Sequence, residues 1–310
     1  MNTVRKYVNN LIRQLTRFSP LLLTVIMLFT SCWHNSKQEN RDDTLLKIDI
    51  DTTTVLFRYK TTLFTLPSPH QATIFIKKNN FSFNHEFINP EKNFSKYSTT
   101  IKKALNLGVY GTDLGYLNIY EKNQEAITYF LIIEKLAKEL EISNALDENT
   151  LKNIEKNLSS NDSILKIIST TYQNIDSYLS ENNRDAVSAL IIVGSWIESL
   201  YIITQSLIEK DKPGLVVLIG KQKYPLDKLI SMLAPYYNQS NEFSELIDMF
   251  TDLAYEYDCM DIDYKYKPPT VYPKDKLTVV NSESELLLNN YNIKKIVEKV
   301  AATRSKIINL

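Results

Sequence analysis

The stretch GVYGTDLGYLNIY, from Gly108 to Tyr120, holds three of the six glycines in a chain of 310 residues, and its reading decides the fold. A phosphate-cradling loop needs a strand before it and a Lys-Ser or Lys-Thr pair after its last glycine. Upstream lies the helical TTIKKALNL, and Gly115 is followed by Tyr116 and Leu117. Read as helix, Ala104, Gly108, Gly111 and Gly115 recur every three or four residues and form one stripe of nearly bare backbone. Each glycine costs a helix interior about 1 kcal/mol relative to alanine. Close packing by a second helix, or contact with a ligand, has to offset that loss; packing is the simpler of the two.

The partner expected on that stripe is SALIIVGSWIESLYIITQSLI, residues 188–208, apolar on every side as a central helix must be. Its length would also span a bilayer. Glu198 at its middle, which would cost about 3 kcal/mol in lipid, and Gln205 favour burial inside the protein instead. Gly194, Glu198 and Gln205 share one stripe, flanked by Ser195 and Tyr201. On the glycine helix, Asn106, Tyr110, Asp113 and Tyr120 share a face with Tyr116 at its edge. If these faces meet, Asp113 and Glu198 form a polar pocket with Tyr116, Tyr201 and Gln205. Buried acids draw attention as acid/base groups, although a satisfied structural network is the commoner explanation.

The spacing elsewhere predicts a mainly α fold, a multi-helix bundle with a small C-terminal β-hairpin and a final helix. Helices are expected from Ser68 to Lys78, with Pro69 in the first position, and over 95–121, 124–141, 148–158, 163–179, 184–208, 213–220, 225–237 and 242–257. Asp162 and Asn183 are expected caps, and the segment NNFSFNHEFINPEKNF (79–94) reads as loop. After Asp258 the period changes to two. MDIDYKYK and KLTVVNSESELLL flank Pro268 and Pro269, which predicts a hairpin with its loop over 270–274. Asn290 then opens a last helix to Ile308. Cys259, following the helical DMFTDLAYEYD, is expected to be buried.

The N-terminus carries a different signal. Arg5, Lys6, Arg13 and Arg17 precede the apolar run PLLLTVIMLFT (20–30), then Ser31 and Cys32, with no acidic residue before Cys32. This is the pattern of a secretory signal. Phe29-Thr30-Ser31-Cys32 resembles the lipobox of bacterial lipoproteins, with Phe29 where leucine is usual. That resemblance implies acylation of Cys32 and a membrane anchor; an ordinary signal-peptidase site is the alternative. The expected organisation is a signal peptide over 1–31, a tether and extended segment over 32–62, a helical domain over 63–257, and a hairpin with its helix over 258–310. Removing residues 1–31 leaves 32 basic against 36 acidic residues, a net charge of −4, which argues against a nucleic-acid partner. The three histidines show no metal-ligand spacing, and no cofactor is implied.

Taken together, LPSP (66–69), NPEKNFSKY (89–97), ALNLGVYGTDLGYLNIY (104–120), QEAITYF (124–130) and VSALIIVGSWIESLY (187–201) resemble a family of helical lipoproteins common in Bacteroidota. The resemblance implies a helical body on a bacterial envelope, and no activity. An outer-membrane protein facing periplasm or surface is expected, binding an envelope protein or a small ligand. The alternative is an envelope enzyme using Asp113 and Glu198.

Overall fold

The structure, a computed structural model, describes residues 54–59, 62–67, 69–143, 174–175, 178–179, 181–182, 184–259, 261–287 and 290–309. The expected signal with Cys32, the expected helix over 148–158, most of that over 163–179, and the expected caps Asp162 and Asn183 lie outside these residues. Within them the chain is mainly helical. Eight α-helices are described: α1 (Pro69–Lys78), α2 (Thr100–Ile119), α3 (Asn123–Glu139), α4 (Asp185–Glu209), α5 (Pro213–Gly220), α6 (Lys223–Leu233), α7 (Asn241–Asp258) and α8 (Asn290–Asn309).

Two of these helices make the centre. Every residue of α2 from Ala104 to Ile119 is buried, and α4 is buried almost without interruption from Val187 to Thr204. A helix apolar on all sides has no solvent face to turn outward, so neighbours must cover it. Helix α4 is long and apolar enough to cross a membrane, yet 89% of its most apolar window is buried inside the protein. Helix α2 packs most extensively on α4 and then on α3; α1 and α8 cover other sides of α4.

The outer helices follow the amphipathic rule. In α7 the buried residues are Phe243, Leu246, Ile247, Phe250, Leu253, Ala254 and Tyr257, the three- and four-residue spacing of one face, and Ser240 caps the first turn by accepting from the Phe243 amide. Cys259 stands two positions past Tyr257, which turns it to the opposite side of the helix. It is exposed, which corrects the expected burial.

The glycine helix is shorter than its sequence suggests. It starts at Thr100, capped by the Thr99 hydroxyl, because residues 91–96 form a separate 3₁₀ turn behind Pro90. At its other end Glu121 takes a left-handed conformation (φ 59°) while the Lys122 amide reaches back to the Leu117 carbonyl at 2.9 Å. That bond closes the helix without a glycine.

Three two-stranded antiparallel ribbons complete the fold. Strands β1 (Thr54–Tyr59) and β2 (Thr62–Pro67) pair with Thr54 opposite Pro67. β1 lies at the end of the segment read as tether and extended chain, and β2 runs into the stretch expected to open the helical domain. After α7, β3 (Asp261–Lys265) pairs with β6 (Glu283–Leu287), and β4 (Thr270–Tyr272) pairs with β5 (Leu277–Val279) inside it. The loop expected over 270–274 is therefore strand as far as Tyr272, and the turn falls on 273–276. Pro268 and Pro269 supply no amide hydrogen to a ladder, so they interrupt the ribbon without ending it.

Candidate functional site

The glycines fix how closely the two central helices lie. A methyl group added to Gly108 would collide with the Ile191 carbonyl oxygen and sit 2.6 Å from the Ser195 amide nitrogen; one added to Gly194 would collide with the Leu105 carbonyl. Hydroxyls then reach across the crossing. Ser195 Oγ donates to the Gly108 carbonyl at 3.1 Å, and Thr112 Oγ1 donates to the Ser195 carbonyl at 3.2 Å. Ala104, Gly111 and Gly115 are buried on the same helix.

One turn beyond that crossing the two central acids come together, with a third partner from the C-terminal helix. Asp113 on α2 and Glu198 on α4 are 0% exposed, and Arg304 on α8 is 6% exposed. The guanidinium grips Glu198 with two parallel bonds, Nε to Oε2 at 2.9 Å and Nη2 to Oε1 at 2.7 Å. Nη2 also donates to the Phe87 carbonyl at 3.2 Å, and the guanidinium carbon lies 4.4 Å from the Tyr201 ring centroid. Such a fork with a ring behind it uses both the planarity and the weak hydration of arginine.

Charge balance sets the state of Asp113. With both acids ionised against one arginine, a sealed site would carry an uncompensated negative charge, which is costly in a dry interior. Burial and the Glu198 charge push the Asp113 carboxyl well above the usual carboxylate range, against smaller opposing effects of Arg304 and the Asn89 amide. Asp113 Oδ2 accepts from the Asn89 amide at 3.0 Å. Its Oδ1 has no donor among the described residues. A proton on Oδ1 resolves both facts, because it lets Asp113 donate to the neighbouring Glu198 carboxylate.

Asn89 is the hub that joins this cluster to the rest of the core. Its side-chain Nδ2 donates to Tyr97 Oη at 2.9 Å and Asn106 Oδ1 at 3.2 Å, its side-chain oxygen accepts from Asn93 Nδ2 at 2.8 Å, and its backbone carbonyl accepts from Tyr129 Oη at 2.7 Å. Asn106 Nδ2 and Tyr97 Oη then donate to the Ile307 and Ile308 carbonyls, 3.0 and 3.1 Å away at the end of α8. Tyr110 donates to the Pro90 carbonyl and Tyr120 to that of Phe81. Segment 79–94, read as loop, is thus bonded into the protein through its backbone and asparagines. Burial pushes the phenols of Tyr97 and Tyr120 up to about 12 and raises those of Tyr110 and Tyr129 as well, so all four remain neutral donors at neutral pH.

Of the other expected members, Tyr116 and Gln205 make no hydrogen bond to either acid. Tyr116 is fully buried, but its hydroxyl accepts from the Asn84 amide at 3.1 Å. Gln205 is half-buried. Tyr201 joins through its ring face, under Arg304. The proposed five-residue pocket reduces to Asp113, Glu198 and Tyr201, completed by Arg304 and Asn89.

A signal for Arg304 was present in the sequence. It lies on the stripe of Ile296, Val300 and Ile307, a lone cation on the inward face of an amphipathic helix, and a buried Glu198 requires such a partner. Among the described residues no group of three or more His, Cys, Asp or Glu side chains is placed to hold a metal ion. The chain matches no family model, no curated protein and no solved structure.

Proposed function

We propose that this chain is a lipid-anchored protein of the bacterial envelope that works as a binding or interaction module, not by acid/base catalysis. The observation that carries the anchor is the order of features before Cys32: four basic residues, an eleven-residue apolar run from Pro20 to Thr30, and Ser31 directly ahead of the cysteine. Acyl chains contribute about 0.8 kcal/mol per buried methylene, so attachment of more than one at Cys32 gives durable membrane binding.

The burial of the acids supports the module over the enzyme. A general acid or base must reach a substrate proton directly or through one water. Asp113 and Glu198 are fully buried and already engaged with Asn89 and Arg304. Their bonds connect α2, α4, α8 and the 84–97 segment, which is the work of a structural lock.

Replacing Cys32 with alanine should abolish incorporation of labelled palmitate and release the protein to the soluble fraction. Labelling that persists at the wild-type level would contradict the anchor.

A further inference from the structure

We propose that the distal end of the C-terminal hairpin, residues 264–280, docks on an anionic lipid surface. Among the described residues fifteen large hydrophobic side chains are exposed, and seven of them fall in this stretch: Tyr264, Tyr266, Val271, Tyr272, Leu277, Val279 and Val280, between 39% and 74% exposed. A concentration of that kind in one short element marks an interaction site; scattered single residues would not.

The element is held in shape for presentation. At the Pro268-Pro269 interruption, Asn281 Nδ2 donates to the Pro268 carbonyl at 2.7 Å and to Thr270 Oγ1 at 2.8 Å. The Ser282 hydroxyl accepts from the Lys267 amide and donates to the Lys267 carbonyl, both at 3.2 Å. Side chains thus replace the ladder bonds that proline removes, and β4 and β5 continue outward as an ordered ribbon. Tyr272 stands opposite Leu277 and Thr270 opposite Val279, so Tyr272, Leu277 and Val279 share one face while Val271 lies on the other.

Charge and shape choose the occupant. Residues 264–280 contain Lys265, Lys267, Lys274 and Lys276 against Asp275, a net charge of +3; Lys265 stands opposite Glu283 in β6, so the exposed turn lysines Lys274 and Lys276 carry the charge offered at the tip. A second copy would bring the same positive charge against this one, which disfavours self-association. A protein partner covers one face of a ribbon, whereas apolar residues here occupy both. The headgroup layer of an anionic membrane surrounds both faces, attracts the lysines and suits tyrosine, whose ring is apolar and whose hydroxyl is wet. Strands of three residues are about 10 Å long, comparable to the depth of interfacial elements. The outer edges of β4 and β5, which pair with no other described strand, would be costly in hydrocarbon, which keeps the ribbon at headgroup level.

This contact is separate from acylation at Cys32, and the test keeps the two apart. The full chain carrying Cys32→Ser is mixed with vesicles of phosphatidylcholine alone or of phosphatidylcholine with phosphatidylglycerol, and its partitioning is measured by sedimentation. Residues 1–31 contribute the same background to every variant. Lys274→Gln/Lys276→Gln should weaken partitioning onto the anionic vesicles by about 10- to 30-fold, at about fivefold per lysine, with little change on the neutral ones. Tyr272→Ser/Leu277→Ser should weaken both. Raised salt should remove the difference made by the lysines. Partitioning unchanged in both double variants, or equal on both vesicle types for the parent, would overturn the proposal. So would a parent dimer that Tyr272→Ser/Leu277→Ser dissolves.

Discussion

Tyrosine serves opposite ends in the segment around Asn89 and in the C-terminal hairpin. Around Asn89, Tyr97, Tyr110 and Tyr129 are buried, and their hydroxyls donate to the carbonyls of Ile308, Pro90 and Asn89. In the hairpin, Tyr264, Tyr266 and Tyr272 are exposed. The same side chain closes a core in one place and presents a surface in the other. The difference lies in the backbone. Helices α2 and α3 pack their tyrosines onto a segment whose Pro90 and Asn89 carbonyls accept from them, whereas a two-stranded ribbon has no second layer to cover its faces.

The contrast predicts unequal responses to substitution. Arg304→Met strands Glu198 beside Asp113 without a counter-charge and should cost about 3–5 kcal/mol in denaturant unfolding. Adding Glu198→Met should recover most of that loss, since a matched apolar pair needs no partner. A double variant as unstable as the single one would mean that Arg304 contributes through packing alone.

Next in size is the helix crossing. Gly194→Ala forces the new methyl group against the Leu105 carbonyl, a backbone atom that moves only with its helix. A loss of about 1–3 kcal/mol is expected. An unchanged melting temperature would show that α2 and α4 separate more easily than their contacts imply.

The hairpin should respond least. Tyr272→Ser removes an exposed ring and should change stability by no more than about 0.5 kcal/mol. A larger loss would place the ribbon among the elements that hold the fold and erase its contrast with the Asn89 segment.

Much of the architecture was legible because local spacing reports it. Pro213 and Asn290 open α5 and α8 where the sequence put them, and Gly108 and Gly194 stand on the two helices that meet most closely. The cluster was half legible. Asp113 and Glu198 announce themselves as acids on apolar helices, but Arg304 is 106 residues from Glu198, and no local period connects them. Asn89 was harder still. Its neighbours in FINPEKNF resemble a solvated loop, and only the surrounding tyrosines and asparagines of distant segments turn it into a buried hub. The hairpin turn was misplaced because two prolines look like an ending, whereas Asn281 and Ser282 bridge them from the opposite strand.

The most direct test of a sealed, neutralised lock is the pH dependence of stability in the wild type and in Asp113→Asn. Asparagine keeps the shape of a protonated aspartic acid and can still accept from the Asn89 amide and donate to Glu198. In the folded protein, burial and the neighbouring Glu198 hold the Asp113 carboxyl well above the usual carboxylate range. Its stabilising contribution is therefore complete below about pH 4 and is lost as pH rises toward the folded pKa, at up to about 1.4 kcal/mol per pH unit for one proton. Over that window the asparagine variant should gain stability relative to wild type as pH increases. A difference that stays constant with pH, or that turns against the variant as pH rises, would contradict the account, because Asp113 would then be ionised in the folded core.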